Sequence, residues 1–141
     1  MSRPHSTAAL VASALALLVA AGPGSARTSS SGTAAGSTKA WCASVIATNT
    51  RFGTMKNKHY LQNVPLTTWK KIVDYTVAHR AKYLALAPSS IRTAVAHQIA
   101  WFQKVQKDYT SIATTLAPMT VADVKQLKTF QETKCGITFS A

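Results

Sequence analysis

Tyr75, His79 and Tyr83 follow one another at intervals of four residues, and at about 100° per residue that spacing aligns them as one stripe along a helix. A Tyr and His pair at i, i+4 can offer a phenolate oxygen and an imidazole nitrogen to one metal ion, and both side chains serve as axial ligands to haem iron. His97, four residues before Trp101, is a further candidate ligand or ring contact. The same spacing suits ordinary packing with the polar ends at the surface. The expectation is therefore no cofactor and no assigned metal, with haem binding through Tyr75 and His79 as an alternative.

Arg80 falls near the middle of the wide apolar face of the same helix, where a guanidinium needs a carboxylate or a route to water. The chain has only four acids, Asp74, Asp108, Asp123 and Glu132. Asp74 is on the far side of that helix, which leaves Asp108 and Glu132 as partners. Arg80 is either a cationic centre for an anionic ligand or a side chain that reaches solvent near the end of the domain.

So few acids also restrict catalysis, because acid–base work by paired carboxylates needs two of them placed together. There is no Gly-x-Ser-x-Gly, no His-Glu-x-x-His and no phosphate-cradling glycine loop. A non-catalytic protein is expected, with a small secreted hydrolase assembled from distant residues as the alternative.

Sixteen Lys or Arg against four acids give a formal charge of +12. A field of that size attracts polyanions, which outside a bacterial cell means anionic lipid, cell-wall polymer or free nucleic acid. Arg51, Lys56, Lys58, Lys70 and Lys71 gather around the join of the first two helices, with Tyr60 and Trp69 among them. Phosphate contact and base stacking use those residue types. Basic residues also line the outer faces elsewhere, which favours general polyanion affinity over specific nucleic-acid recognition.

The elements that carry these residues begin with an address. Arg3 and His5 precede residues 8–21, of which 13 of 14 are apolar, and Gly22-Pro23-Gly24 stops any helix there. This is the pattern of a secretory signal, and small residues at 24 and 26 set a cut after residue 26. The mature chain would hold 141 − 26 = 115 residues and, without Arg3, a charge of 15 − 4 = +11. Fourteen apolar residues fall short of the roughly 20 that span a membrane, so no transmembrane span is expected in the mature chain. Residues 27–39, rich in Ser, Thr, Gly and Ala, read as a flexible leader, and 40–141 as one secreted domain.

Four helices are expected in that domain. The first starts near Lys39 with Trp41, Val45, Ile46 and Phe52 at helical spacing and weakens at Gly53. The second follows Pro65 with Thr67 and Thr68 as caps and runs over 69–86. The third, capped by Ser89 and Ser90, carries apolar residues over 91–116, about seven turns. The fourth spans 121–135 between a Thr120/Asp123 capping box and Gly136. Short connections make these an all-α, antiparallel four-helix bundle. In an oxidising compartment the two cysteines, Cys42 and Cys135, have one pairing, which joins the start of helix one to the end of helix four.

With one Cys near each end of its helical domain, and Ala-Pro before a helix at 87–88 and 117–118, the chain resembles small exported all-helical proteins of high-GC Gram-positive bacteria. That resemblance carries no activity with it. Cys42, Cys135, Tyr75 and His79, with His97 as a third candidate ligand, also give it a similarity to the secreted haemophores of mycobacteria. The second resemblance implies haem transfer across an envelope.

Overall fold

A computed structural model describes residues 36–139. The expected signal segment and most of the leader lie outside the described residues. Within them are α1 (Thr38–Phe52), β1 (Met55–Lys56), β2 (His59–Tyr60), α2 (Leu66–Ala78), α3 (Arg80–Leu86), α4 (Arg92–Val105), a 3-10 helix (Tyr109–Ala113) and α5 (Val121–Cys135). The described residues are mostly helical, as expected, but among them the four expected rods are replaced by five helices and a small antiparallel hairpin.

Ser37 caps α1 by accepting from the Ala40 N–H at 3.1 Å. The ordered domain thus begins before residue 40, inside the expected leader. At Gly36 an added Cβ would lie 1.8 Å from the Leu86 carbonyl oxygen, so only glycine permits this approach to the end of α3. Gly53 ends α1 in the left-handed conformation, with φ 78°. The buried Asn49 then holds the turn, donating to the Val45 carbonyl and accepting from the Thr54 hydroxyl at 2.7 Å. Asn57 and Lys58 both have positive φ, the geometry of a two-residue hairpin turn. Strands of two residues leave no alternation to detect in a sequence. The chain's last described segment pairs with this hairpin through Thr138 and His59.

The second expected helix is two. Its backbone breaks at His79 (φ −111°, ψ 20°), which interrupts the 100° progression. α2 also starts earlier than Thr67 and Thr68 implied, with Pro65 in the cap position and no side-chain cap. Ser89 and Ser90 do not cap α4 either; Ile91 holds that position. α4 then stops at Val105, short of residue 116. The Asp108 carboxylate accepts from the Thr110 N–H at 3.0 Å and from its hydroxyl, a local bond that competes with continued α-helix. The apolar residues beyond it pack from the 3-10 helix. α5 has its expected capping box and its stop at Gly136.

α4 packs against α2, α3 and α5, and α1 against α2 and α5. Trp41, Val45, Ile72, Val73, Tyr83, Val95, Trp101, Phe102 and Leu127 are 0% exposed and form one core from all five helices. Cys42 and Cys135 are joined, with Cα atoms 5.1 Å apart, and they tie the start of α1 to the end of α5. No helix among the described residues is long and apolar enough to cross a membrane.

Candidate functional site

The Tyr75 and His79 rings meet at the end of α2, with centroids 4.2 Å apart and planes inclined at 36°. Phe52, the last residue of α1, lies 5.4 Å from Tyr75 on a tilted contact. His79 Nδ1 is 2.7 Å from the Tyr75 carbonyl oxygen. A carbonyl only accepts, so Nδ1 carries the proton, and in the neutral ring Nε2 keeps its lone pair. Beyond the break at His79, Tyr83 is fully buried in the core. Burial there pushes its phenol far above the ordinary ionisation range.

His97 does not join them. Its Nδ1 lies 2.9 Å from Asp123 Oδ2 on α5. Burial alone would raise the Asp123 pKa, but hydrogen bonds from the Thr120 N–H, His97 and the Thr120 hydroxyl, together with the charge of His97, bring it below the usual carboxylate value. Arg80, expected in the apolar face, is instead exposed, because the break at His79 resets the face on which residue 80 emerges. It donates to the Val77 carbonyl at 3.1 Å. Its expected partners are engaged elsewhere, Asp108 in its turn and Glu132 with Lys128 at 2.5 Å. Among the described residues no three His, Cys, Asp or Glu side chains are grouped to hold a metal ion.

Arg51, Lys56, Lys58, Lys70 and Lys71 are all exposed at the end of α1, in the hairpin and on the first turns of α2. The Arg51 guanidinium lies 5.8 Å from the Phe52 ring, and Lys70 Nζ is 4.9 Å from the Tyr109 ring. The two rings of a type that could stack bases are not available, in keeping with the expectation against specific nucleic-acid recognition: Tyr60 is buried with its hydroxyl donating to Gln131, and Trp69 is 8% exposed. Asp74 accepts from Gln106 at 2.9 Å and from the Tyr109 hydroxyl. Burial and the adjacent Asp74 carboxylate both push the Tyr109 phenol up.

A further feature was not visible in the sequence. The outer face of α5 and the chain entering α4 enclose an open groove of about 540 Å³ lined by Ile91, Ala122, Lys125, Gln126, Phe130 and Lys134, with threonines between. Gln126 pins its wall by donating to the Ser90 carbonyl at 2.6 Å. Its lining mixes Lys, Thr and Gln with two apolar residues of α5, so a search for apolar periodicity reads that face as solvated.

No family model matches the chain, and neither curated proteins nor solved structures give a match.

Proposed function

We propose that this chain is a non-catalytic, exported binding protein whose basic surface engages an anionic component of the cell envelope, lipid or wall polymer. The observation that carries the reading is the imbalance of partners. All four acids lie among the described residues, and each is already held: Asp74 by Tyr109 and Gln106, Asp108 in its turn, Asp123 by Thr120 and His97, Glu132 by Lys128. Lys128 takes up Glu132, and four acids leave most of the sixteen Lys and Arg charges of the chain unbalanced. The closed disulfide and the lack of a membrane-length apolar helix in that region are compatible with an extracytoplasmic setting.

Co-sedimentation with phosphatidylglycerol vesicles, and separately with teichoic acid, tests the reading between about 10 mM and about 0.5 M salt, where the screening length falls from ~30 Å to a few ångströms. Binding is expected at low salt and release at high salt. Neutralising Arg51, Lys56, Lys58, Lys70 and Lys71 to Gln should flatten that dependence. No binding to either anion at low salt rejects the reading.

A second reading, haem carriage, is favoured by the anchored Nδ1 of His79, which orients Nε2 as a ligand in the way backbone carbonyls orient metal-binding histidines. Haemin should then give a shifted Soret band that is lost in His79→Ala and altered in Tyr75→Phe. Identical spectra in all three proteins reject it.

A further inference from the structure

We propose that the groove on the outer face of α5 binds a free fatty acid, with its carboxylate on a lysine and its acyl chain along the apolar floor. This site is separate from the basic surface above, and it does not rest on that reading.

Residues 122, 125, 126, 129, 130, 133 and 134 recur at i, i+3, i+4, i+7, i+8, i+11 and i+12, which is one stripe of a helix. It lies opposite the stripe of Val124, Leu127, Gln131 and Cys135 that α5 buries in the core. An outward face of this kind is ordinarily polar and laced with charge pairs. Lys128 and Glu132 supply such a pair on α5, but neither lines the groove. Ile91, Ala122 and Phe130 give the groove an apolar floor. Lys125 and Lys134 stand towards its two ends, and neither makes an ion pair among the described residues.

No acid lines the groove, so its charge complements an anion. At 1.5 Å per residue the stripe from Ala122 to Lys134 is about 18 Å long, a shape that suits a single extended chain better than a compact ring. A volume of about 540 Å³ falls within the range of small-molecule sites, a few hundred to a thousand cubic ångströms. The lysine stems can lie on the acyl chain while their ammonium groups meet the carboxylate and water. A purely polar anion would leave the floor wet, and a neutral alkane would leave the cations unmatched. The fatty acid satisfies both.

The test is amide NMR of the full secreted protein titrated with laurate below its micellar concentration, alongside acetate, which has the anion without the tail, and dodecanol, which has the tail without the anion. Laurate should give saturable shifts confined to residues 90–91 and 122–134. Acetate should give none, and dodecanol should bind much more weakly. Lys125→Gln with Lys134→Gln should raise the laurate Kd about tenfold, and Thr129→Glu, which places a carboxylate in the lining, should abolish binding with the helix intact by circular dichroism.

In about 0.5 M salt laurate should lose no more than the roughly tenfold lost in the double variant, because apolar contact is not screened. Vesicle binding through the basic surface should be lost there, so failure of one reading is distinguishable from failure of the other. Shifts scattered over lysines throughout the surface, an equal response to acetate, or an unchanged Kd in the double variant would overturn the proposal.

Discussion

Reducing the Cys42–Cys135 bridge is the perturbation whose size follows most directly from the fold. The two residues are 93 apart in sequence, and closing a loop of about 94 residues removes about 4 to 5 kcal/mol of chain entropy from the unfolded state. The thiols would remain in place, since Cys42 and Cys135 are 9% and 6% exposed. Reduction therefore isolates the cross-link from the loss of side-chain volume. A domain of roughly 100 residues unfolds with an entropy near 0.2 kcal/mol/K, so the loss corresponds to a fall in Tm of about 20 °C. It would also consume a large share of the 5 to 15 kcal/mol that a small domain typically has. Thermal melts by circular dichroism, with and without phosphine reductant and with the thiols verified by intact mass, measure it directly. Cys42→Ala with Cys135→Ala should fall at least as far. A shift under about 5 °C would show that the unfolded chain is already restrained or that the helices at the bridge fray independently, and it would refute the reasoning.

Asp123→Ala should cost about 1 to 2 kcal/mol at pH 7, because it removes the N3 half of the α5 capping box and the partner of His97. The folded-state pKa of Asp123 is lowered. Its contribution is therefore present above the unfolded value near 4 and is lost as pH falls through the folded value. Urea unfolding should show the wild-type advantage shrinking towards pH 3, and an advantage that grows in acid contradicts the assignment. At the other end of the scale, burial raises the phenols of Tyr60, Tyr83 and Tyr109, and Asp74 adds to the rise at Tyr109. Groups raised in this way stabilise the fold below an unfolded pKa of about 10, and that support is lost as pH rises through their folded values. Phenolate absorbance should therefore rise for these residues together with the loss of helical signal. Ionisation of all tyrosines near pH 10 in a still-folded protein would contradict the burial.

What the sequence made legible was its strongest local chemistry. Thr120, Asp123 and Gly136 bound α5 because both ends rest on side chains or glycine conformations of their own. The disulfide followed from having a single possible pair. The second and third expected helices differ from the structure for one common reason: apolar residues continue at helical intervals after the backbone has stopped being helical. Tyr83 and Ile112 are both buried, but they reach the core after a break at His79 and from a 3-10 turn set by Asp108. Periodicity records that a residue faces inward and says nothing of how the chain brings it there. The consequences for the site are direct. Tyr83 is buried in the core beyond the break, Arg80 leaves the apolar face, and Tyr75 and His79 stay in ring contact. The α5 groove was invisible for the opposite reason, since its apolar floor comes partly from Ile91, 31 positions before Ala122.

The disposition of the four acids connects stability to surface chemistry. Asp123 and Asp108 hold turns at the starts of α5 and the 3-10 helix, Asp74 fastens α2 to Gln106 and Tyr109, and Glu132 bridges one turn of α5. Each carboxylate therefore has a structural task, and four of them leave most of the sixteen Lys and Arg charges unbalanced. Self-repulsion in so cationic a chain opposes compaction, and a covalent tie between the outermost helices counters it without adding a charge. Distributing a few more acids over the surface would relieve the repulsion more simply, but it would also weaken the field on which the proposed anionic partner depends. Few acids and one long-range disulfide are thus complementary features: the bridge lets the fold tolerate a strongly cationic surface.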